Sequence, residues 1–280
     1  MLSGACYFRG NFMTVAGATS LLKQLCKRPE LTPEFWNYYE PIDNQFRCDK
    51  LDEVVWGAMV PSPKAQKHFV RTLTFFLRKS KPQCSISIDL CLAPVQGQTP
   101  HNCIQIDDTE EPWPQGPQIL AEYLPHSAPP KFPDYAKIVE SSLEDPDRLS
   151  EFKRPMTGRQ VNEMLAKRTV SAPMGPGGAI EDIYWFNYFG RVYVEFIGES
   201  RLLASGWERV ERVGDGLACY ATDSIDDPHF PERRRRIAGA LDEFVWTPDC
   251  DPRDKRVPHF DFSEQRAALL PEVRAQIPDY

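Results

Sequence analysis

The clearest pattern in the chain is an alternation of apolar and polar residues over 84–91. Cysteine, isoleucine and leucine occupy the even positions, whereas serine and aspartate occupy most of the odd ones. A period of two predicts a strand with one buried and one solvated face. The β-rich segment 71–77 precedes it across the polar run 78–83, so we predict a hairpin of strands 71–77 and 84–92.

Helical spacing follows a first predicted strand over 5–15. Leu21, Leu22 and Leu25 recur at intervals of one turn and stop before Pro29, which predicts an amphipathic helix lying on a sheet. The run Thr32–Glu34 offers a capping hydroxyl, a proline and an acid, and it predicts a short aromatic helix over 35–39. A further helix is predicted over 52–59.

The second half of the chain alternates between both kinds of pattern. We predict helices over 134–142, 158–167, 231–244 and 263–270, and strands over 183–189 and 191–197. Segments 208–213 and 217–221 flank Gly214-Asp215-Gly216, whose residues accept the backbone conformations of a tight turn, so they predict a second hairpin.

Strands and helices that come in runs favour an α+β fold, with an antiparallel or mixed sheet and helices packed on it. Nine prolines between 94 and 133 exclude one continuous helix or interior strand throughout that stretch. We place a boundary near 127–133. The predicted parts are an N-terminal α+β half (1–126), a Pro-rich and helical connector (127–157) and a C-terminal α+β half (158–280). The sequence leaves open whether the halves share one sheet.

The net charge of −7 argues against general nucleic-acid binding, because a field of that sign repels phosphates. No apolar run approaches the length of a membrane span, and the N-terminal segment has no basic region before its apolar residues. We therefore expect no membrane association and a cytoplasmic location. The eight cysteines are widely spread, and we expect most of them to be reduced and partly buried.

A search for catalytic chemistry finds no familiar motif. His101 and Cys103 are the nearest approach to a metal site, and we interpret His101 as a surface-loop histidine and expect neither metal nor cofactor. Gly175–Gly178 is interpreted as a connector because it precedes a predicted strand. Pro146-Asp147 with Glu151-Phe152-Lys153 resembles a nuclease carboxylate pattern, and we interpret it as accidental. A dispersed Ser-His-Asp site stays open, because chain spacing does not restrict it.

Charged runs provide the candidate surfaces. Four arginines, 233–236, predict a solvated helix face. Acidic clusters near two tryptophans could form an anionic rim around an aromatic anchor and meet a cationic partner. The candidate partner-binding residues are Asp107, Asp108, Glu110, Glu111, Trp113, Asp223, Asp226, Asp227, Trp246, Asp249 and Asp251.

Several aromatic and glycine segments carry a family resemblance. They are 7–12 (YFRGNF), 35–39 (FWNYY), 86–92, 185–189 (WFNYF), 206–210 (GWERV) and 216–223 (GLACYATD), together with the helix containing Leu21, Leu22 and Leu25. Their order resembles the immunity protein 52 family of bacterial polymorphic toxin and type VI secretion systems. A second type VI immunity family, whose partners are VRR-type nucleases, is similar in the order of its elements. The Pro-rich middle matches no motif of either family.

The resemblance implies a non-enzymatic inhibitor that binds a cognate toxin effector, here a DNase with a restriction-endonuclease-like fold. It implies no catalytic residue and no direct contact with nucleic acid, and self-association stays open. A hydrolytic enzyme with a dispersed site is the alternative, and it predicts a deep pocket lined by at least one histidine and two carboxylates.

Overall fold

The computed structural model describes residues 2–37, 42–59, 72–91, 101–108, 113–140, 180, 182–245 and 255–268. These residues form an α+β fold around one ten-stranded sheet, in the order β3-β2-β4-β5-β6-β1-β7-β8-β10-β9, in which all neighbouring strands are antiparallel. The strands are β1 (Leu2–Phe8), β2 (Phe35–Asn37), β3 (Asn44–Gln45), β4 (Thr72–Ser80), β5 (Gln83–Cys91), β6 (Asn102–Asp108), β7 (Tyr135–Glu140), β8 (Phe186–Phe189), β9 (Arg209–Val213) and β10 (Gly216–Tyr220).

Seven α-helices accompany the sheet in the described residues. They are α1 (Val15–Cys26), α2 (Leu51–Met59), α3 (Gly116–Tyr123), α4 (Arg191–Ile197), α5 (Glu199–Ala204), α6 (Phe230–Ala240) and α7 (Ser263–Ala267). Thr14 begins α1 by accepting the Gly17 amide on its hydroxyl at 3.0 Å. Among the described residues, no helix is both long and apolar enough to cross a membrane.

The helices α3 and α4 lie on opposite faces of the sheet. On β1, Gly4 faces α3, because an added Cβ there would lie 2.9 Å from Leu120 Cδ1. We call this side the first face. On β7, Tyr135 points to the second face, where its ring lies 5.8 Å from Tyr193 of α4. The strands β9 and β10 therefore have α4 on the second face and an open region beside α3 on the first.

The sheet crosses the predicted boundary without a break, because β7 pairs with β1 on one side and with β8 on the other. Both predicted hairpins form. The first joins β4 to β5 through a turn of only Lys81 and Pro82, and the second joins β9 to β10 through Gly214 and Asp215. The helices predicted near 21–26, 52–59, 231–244 and 263–270 also form, as α1, α2, α6 and α7, with shifted ends.

Three predicted elements are wrong. Residues 35–37 form β2 instead of a helix, because Trp36 pairs with Leu77 of β4. The helix predicted over 134–142 is β7, an interior strand whose partners on both sides determine its conformation. The strand predicted over 191–197 is α4, because Tyr193, Val194 and Ile197 are buried at helical spacing. The helix predicted over 158–167, the glycine-rich segment 175–178 and the acid pattern at 147–153 lie outside the described residues.

The cysteines follow the expectation in most places. Cys6, Cys84 and Cys219 are free and buried, and Cys91 and Cys103 are free and half-buried. Cys26 and Cys48 differ, because they form a disulfide between the end of α1 and the turn before α2. Cys250 lies outside the described residues.

Candidate partner-binding surface

The loop 221–229, which follows β10, contains three of the predicted partner-binding residues, Asp223, Asp226 and Asp227. We call it the acidic loop. Its start is fixed to the core, because the Ala221 amide donates to the Trp185 carbonyl at 2.8 Å and Trp185 Nε1 donates to the Thr222 carbonyl at 3.1 Å. Ile225 is buried in its middle. These contacts attach the start and the middle of the loop to the core.

The three carboxylates of the acidic loop have few tasks within the fold. Asp223 and Asp226 are exposed and Asp227 is half-buried. Asp227 Oδ1 accepts the His229 amide at 2.8 Å, and Asp226 Oδ1 accepts the Ser224 hydroxyl at 3.0 Å. In the part of the chain that the structure describes, none of the three forms an ion pair. Within those ranges, no ion pair neutralises their negative charges.

Two other predicted partner-binding acids, Asp107 and Asp108, have a different environment. They lie on the interior strand β6. Asp108 is 9% exposed, and its Oδ1 accepts the Leu2 amide at 2.7 Å. Asp107 Oδ2 accepts Gln105 Nε2 at 2.9 Å, and burial raises the pKa of Asp107. Trp113 is half-buried against the core, where it lies beside Gly116 at the start of α3. Glu110, Glu111, Trp246, Asp249 and Asp251 lie outside the described residues.

The arginine run 233–236 is a solvated face in part, because Arg235 and Arg236 are exposed whereas Arg233 and Arg234 are half-buried. Arg234 Nε donates to Asp182 Oδ1 at 3.0 Å, and Arg233 forms an ion pair with Glu208. Arg233 and Arg236 both donate to the carbonyl of Gly206, at 3.4 and 2.8 Å. Three arginines of the run therefore attach α6 to Asp182, before β8, and to the segment before β9, and Arg235 is exposed.

A cleft of about 390 Å³ lies on the first face between α3 and the β9–β10 hairpin. Its lining includes Ala218 and Tyr220 from β10, Arg209 and Glu211 from β9, and Arg28, Glu122 and His126 from the helical side. Arg28 Nη1 lies 3.1 Å from Glu122 Oε2, and Arg209 Nη1 lies 3.3 Å from Glu211 Oε1. The guanidinium of Arg209 also stacks 3.8 Å from the ring centroid of Tyr220. The cleft thus combines a small apolar floor with two ion pairs.

A buried charge cluster joins the end of β1 to the C-terminal segment. Arg9 donates to both carboxylate oxygens of Asp134, each at 2.8 Å, and to the carbonyl of Asp261 at 3.2 Å. His101 Nε2 lies 3.5 Å from Asp134 Oδ2, and its ring packs edge-on against Phe260 and Phe262. The interpretation of His101 as a surface-loop residue was therefore wrong, because its side chain is 4% exposed.

The charges of this cluster stabilise one another. Burial alone would raise the pKa of Asp134, but the contacts with His101 and Arg9 outweigh burial and lower that pKa. At His101, the effect of burial outweighs the effect of the Asp134 carboxylate, so the pKa of His101 is lowered. The arrangement is therefore a neutral histidine beside a bidentate Arg–Asp pair. These contacts are typical of a structural role, because aromatic rings cover His101 and Arg9 binds both oxygens of Asp134.

The same end of the sheet contains polar contacts that the sequence patterns did not indicate. Gln265 of α7 accepts the Gly10 amide at 3.1 Å and donates to the Cys91 carbonyl at 2.9 Å. Asn102 donates to the carbonyls of Phe8 and Gly10. The only available signal was that Arg9, Gly10 and Asn11 interrupt an apolar run, which marks the end of a strand but does not identify its partners. Within the described ranges, no three His, Cys, Asp or Glu side chains are grouped so that they could hold a metal ion.

Comparisons with known proteins do not add a relative. No family model matches the chain, and no curated protein matches it.

Proposed function

We propose that this protein is a cytoplasmic immunity protein that binds and neutralises a cognate secreted nuclease toxin of a type VI secretion system. The toxin is a DNase, of the restriction-endonuclease fold, and the protein protects the producing cell and its siblings. The acidic loop carries the proposal, because its start is hydrogen-bonded to the core and its exposed carboxylates form no ion pair with any described residue.

The resemblance to the immunity family supports this proposal, because several of the segments that carry it lie together in the structure. The segment 185–189 contains β8, 206–210 leads into β9, and 216–223 is β10 with the start of the acidic loop. Trp185 connects two of these segments through its bonds to Ala221 and Thr222. The segments that resemble the immunity family therefore build the framework that presents the acidic loop.

The electrostatics support a competitive mode of inhibition. A DNase needs a cationic groove for its substrate, and fixed carboxylates on a protein of net charge −7 can occupy such a groove. Opposite charges also accelerate the encounter of the two proteins, and salt weakens that effect. Binding at a distance from the toxin's active site is the other mode, and it would not require competition with DNA.

The test is to mix the protein with the toxin encoded by the neighbouring gene, and to measure complex formation by calorimetry and DNase activity by plasmid cleavage. We expect a stable complex and loss of cleavage. The variant Asp223→Lys/Asp226→Lys should weaken the complex by about tenfold or more, equivalent to ~1.4 kcal/mol, and should reduce its salt dependence.

The control is Glu53→Lys/Glu195→Lys, which changes the net charge equally on two exposed helical sites that are 68% and 64% exposed. It should retain the affinity of the unmodified protein. Absence of any complex would reject the immunity function. A complex that is equally sensitive to both double variants would retain that function but remove the acidic loop from the interface.

One observation favours a second candidate, a hydrolytic enzyme. The cleft on the first face is lined by a histidine, His126, and by two carboxylates, Glu122 and Glu211, which is the combination that such a site requires. Both carboxylates form ion pairs with arginines, which favours a structural role. Purified protein that turns over an ester, peptide or phosphodiester substrate, and loses this activity in His126→Ala, would support the enzyme. Turnover that His126→Ala leaves unchanged would exclude this cleft.

A further inference from the structure

The last strand of the sheet, β9, has an open edge in the described part of the chain. Its other edge pairs with β10, and Val210 lies opposite Cys219 in that pair. Glu208, Arg209, Glu211 and Arg212 are exposed, and Val210 is half-buried. An open strand edge presents unpaired N–H and C=O groups and is a template for another strand.

The order of charges along 208–212 is Glu-Arg-Val-Glu-Arg, which is complementary to itself when one copy is reversed. Consider two copies of β9 that run antiparallel about a two-fold axis through Val210. Glu208 then lies opposite Arg212 of the second copy, and Arg209 lies opposite Glu211 of the second copy. Val210 lies opposite its own equivalent. All four charged contacts across the pair are attractive, and the centre is apolar.

Neighbouring registers lose this complementarity. An axis through Glu211 places two carboxylates opposite each other and sets Arg209 against Val213. An axis through Arg209 places two guanidinium groups opposite each other. Like charges that lie directly opposite on adjacent strands are destabilising, so the charge pattern selects one register.

The faces of the sheet agree with this register. Arg209 and Glu211 lie on the first face with Tyr220 and Ala218, whereas Val210 and Arg212 lie on the second. A two-fold axis perpendicular to the sheet keeps each face on its own side. Arg209 and the second copy's Glu211 therefore project on the same side, as a cross-strand ion pair requires.

We propose that β9 is a self-association edge, through which two copies of this chain join their ten-stranded sheets in antiparallel pairing about Val210. The charged residues of β9 already have exposed partners in their own chain, because Arg209 pairs with Glu211 and Arg212 with Glu199, with side chains about half exposed. Glu208 is less exposed and pairs with Arg233 of α6. Ion pairs this exposed contribute little, so their exchange between chains costs little, while the strand edges gain main-chain hydrogen bonds.

The experiment is sedimentation of the full chain alone over a wide concentration series, without any toxin. The unmodified protein should shift with concentration to twice the mass of the 32.1 kDa chain. Arg209→Glu and Glu211→Arg should each weaken self-association by roughly tenfold or more, because each turns two attractive pairs into repulsive ones. The double variant R209E/E211R restores opposite charges and should associate again.

Mixing separates this pairing from a loss of folding. The Arg209→Glu and Glu211→Arg variants carry opposite charges at this edge, so an equimolar mixture should form a heterodimer although neither variant associates alone. The control Arg191→Glu removes a more exposed ion pair on α4 and should leave association unchanged.

A monomeric unmodified protein at every concentration would overturn the proposal. So would reversals that leave association unchanged, or a mixture that stays monomeric. If the protein is monomeric and the same reversals weaken the toxin complex, the edge belongs to the toxin and not to a second copy. Failure of toxin binding alone leaves this result untouched, because self-association is measured without the toxin.

Discussion

The acids of β6 and those of the acidic loop are similar in sequence but have opposite environments. Asp108 is buried, and its carboxylate completes the hydrogen bonding at the start of β1. Asp223 is exposed and forms no ion pair with any described residue. A cluster of acids can therefore serve as a binding surface only where the neighbouring elements leave the carboxylates unused.

The same distinction applies to the positive charges. Arg9 and three arginines of the run 233–236 are used within the fold, where they hold Asp134, Asp182, Glu208 and the Gly206 carbonyl. The charged residues of β9 are about half exposed and form surface pairs with one another or with Glu199. Mutations should therefore separate charges that stabilise the fold from charges that are available to a partner.

The largest effect is expected at Asp134, a buried acid that forms a bidentate pair with Arg9. Asp134→Ala should lower the free energy of unfolding by about 3 kcal/mol, since removal of one member of a buried pair leaves Arg9 uncompensated. Urea unfolding followed by fluorescence measures this change. A loss below about 1 kcal/mol would place Asp134 with the surface acids, for which that is the usual range.

An intermediate effect is expected at Asp108. Asp108→Ala should cost about 1.5–3 kcal/mol, because the Leu2 amide loses a hydrogen bond to a charged group. The matched comparison is Asp226→Ala, which removes an exposed carboxylate that, among the described residues, accepts the Ser224 hydroxyl alone. Equal costs for the two substitutions would contradict the distinction between the clusters.

The sequence could have predicted the environment of Asp108. Residues 102–108 alternate as those of β5 do, with Asn102, Ile104, Ile106 and Asp108 on the buried side. The nine prolines between 94 and 133 argued only against one continuous element, and no strand was predicted within that stretch. The alternation of buried and partly exposed positions along a strand is a local signal, and the sequence of 102–108 contains it.

Other parts of the fold could not be predicted from local patterns. Segments 35–39 and 191–197 are both rich in aromatic residues, yet one contains a strand and the other forms a helix. Their conformations depend on β4 and on the packing of Tyr193, which are tertiary contacts. The cluster of Arg9, His101 and Asp134 joins residues up to 125 positions apart, and no spacing rule brings them together.

A smaller effect, in the pH dependence of stability, is expected from His101. Burial lowers its pKa from the ordinary value of 6.5, so the unfolded chain takes up this proton first. His101 therefore leaves the free energy of unfolding unchanged above pH 6.5, and that free energy decreases as the pH falls below 6.5. Asp134 adds a separate loss below pH 3.8, because its pKa is lowered as well.

The test is His101→Phe, which retains the ring packing against Phe260 and Phe262. Its free energy of unfolding should fall less between pH 7 and pH 5 than that of the unmodified protein. His126→Phe is the control, because His126 is exposed. Identical pH profiles for the unmodified protein and His101→Phe would show that the buried cluster does not sense pH in this range.

The smallest effect on stability is expected in the acidic loop, and it is the sharpest test of the comparison. Asp223→Asn should change the free energy of unfolding by no more than about 0.5 kcal/mol, because an exposed carboxylate without an ion pair among the described residues has little to lose. Urea unfolding beside Asp108→Asn provides the measurement. If Asp223→Asn costs as much as Asp108→Asn, the loop carboxylate is part of the fold, and the argument that it is reserved for a partner fails.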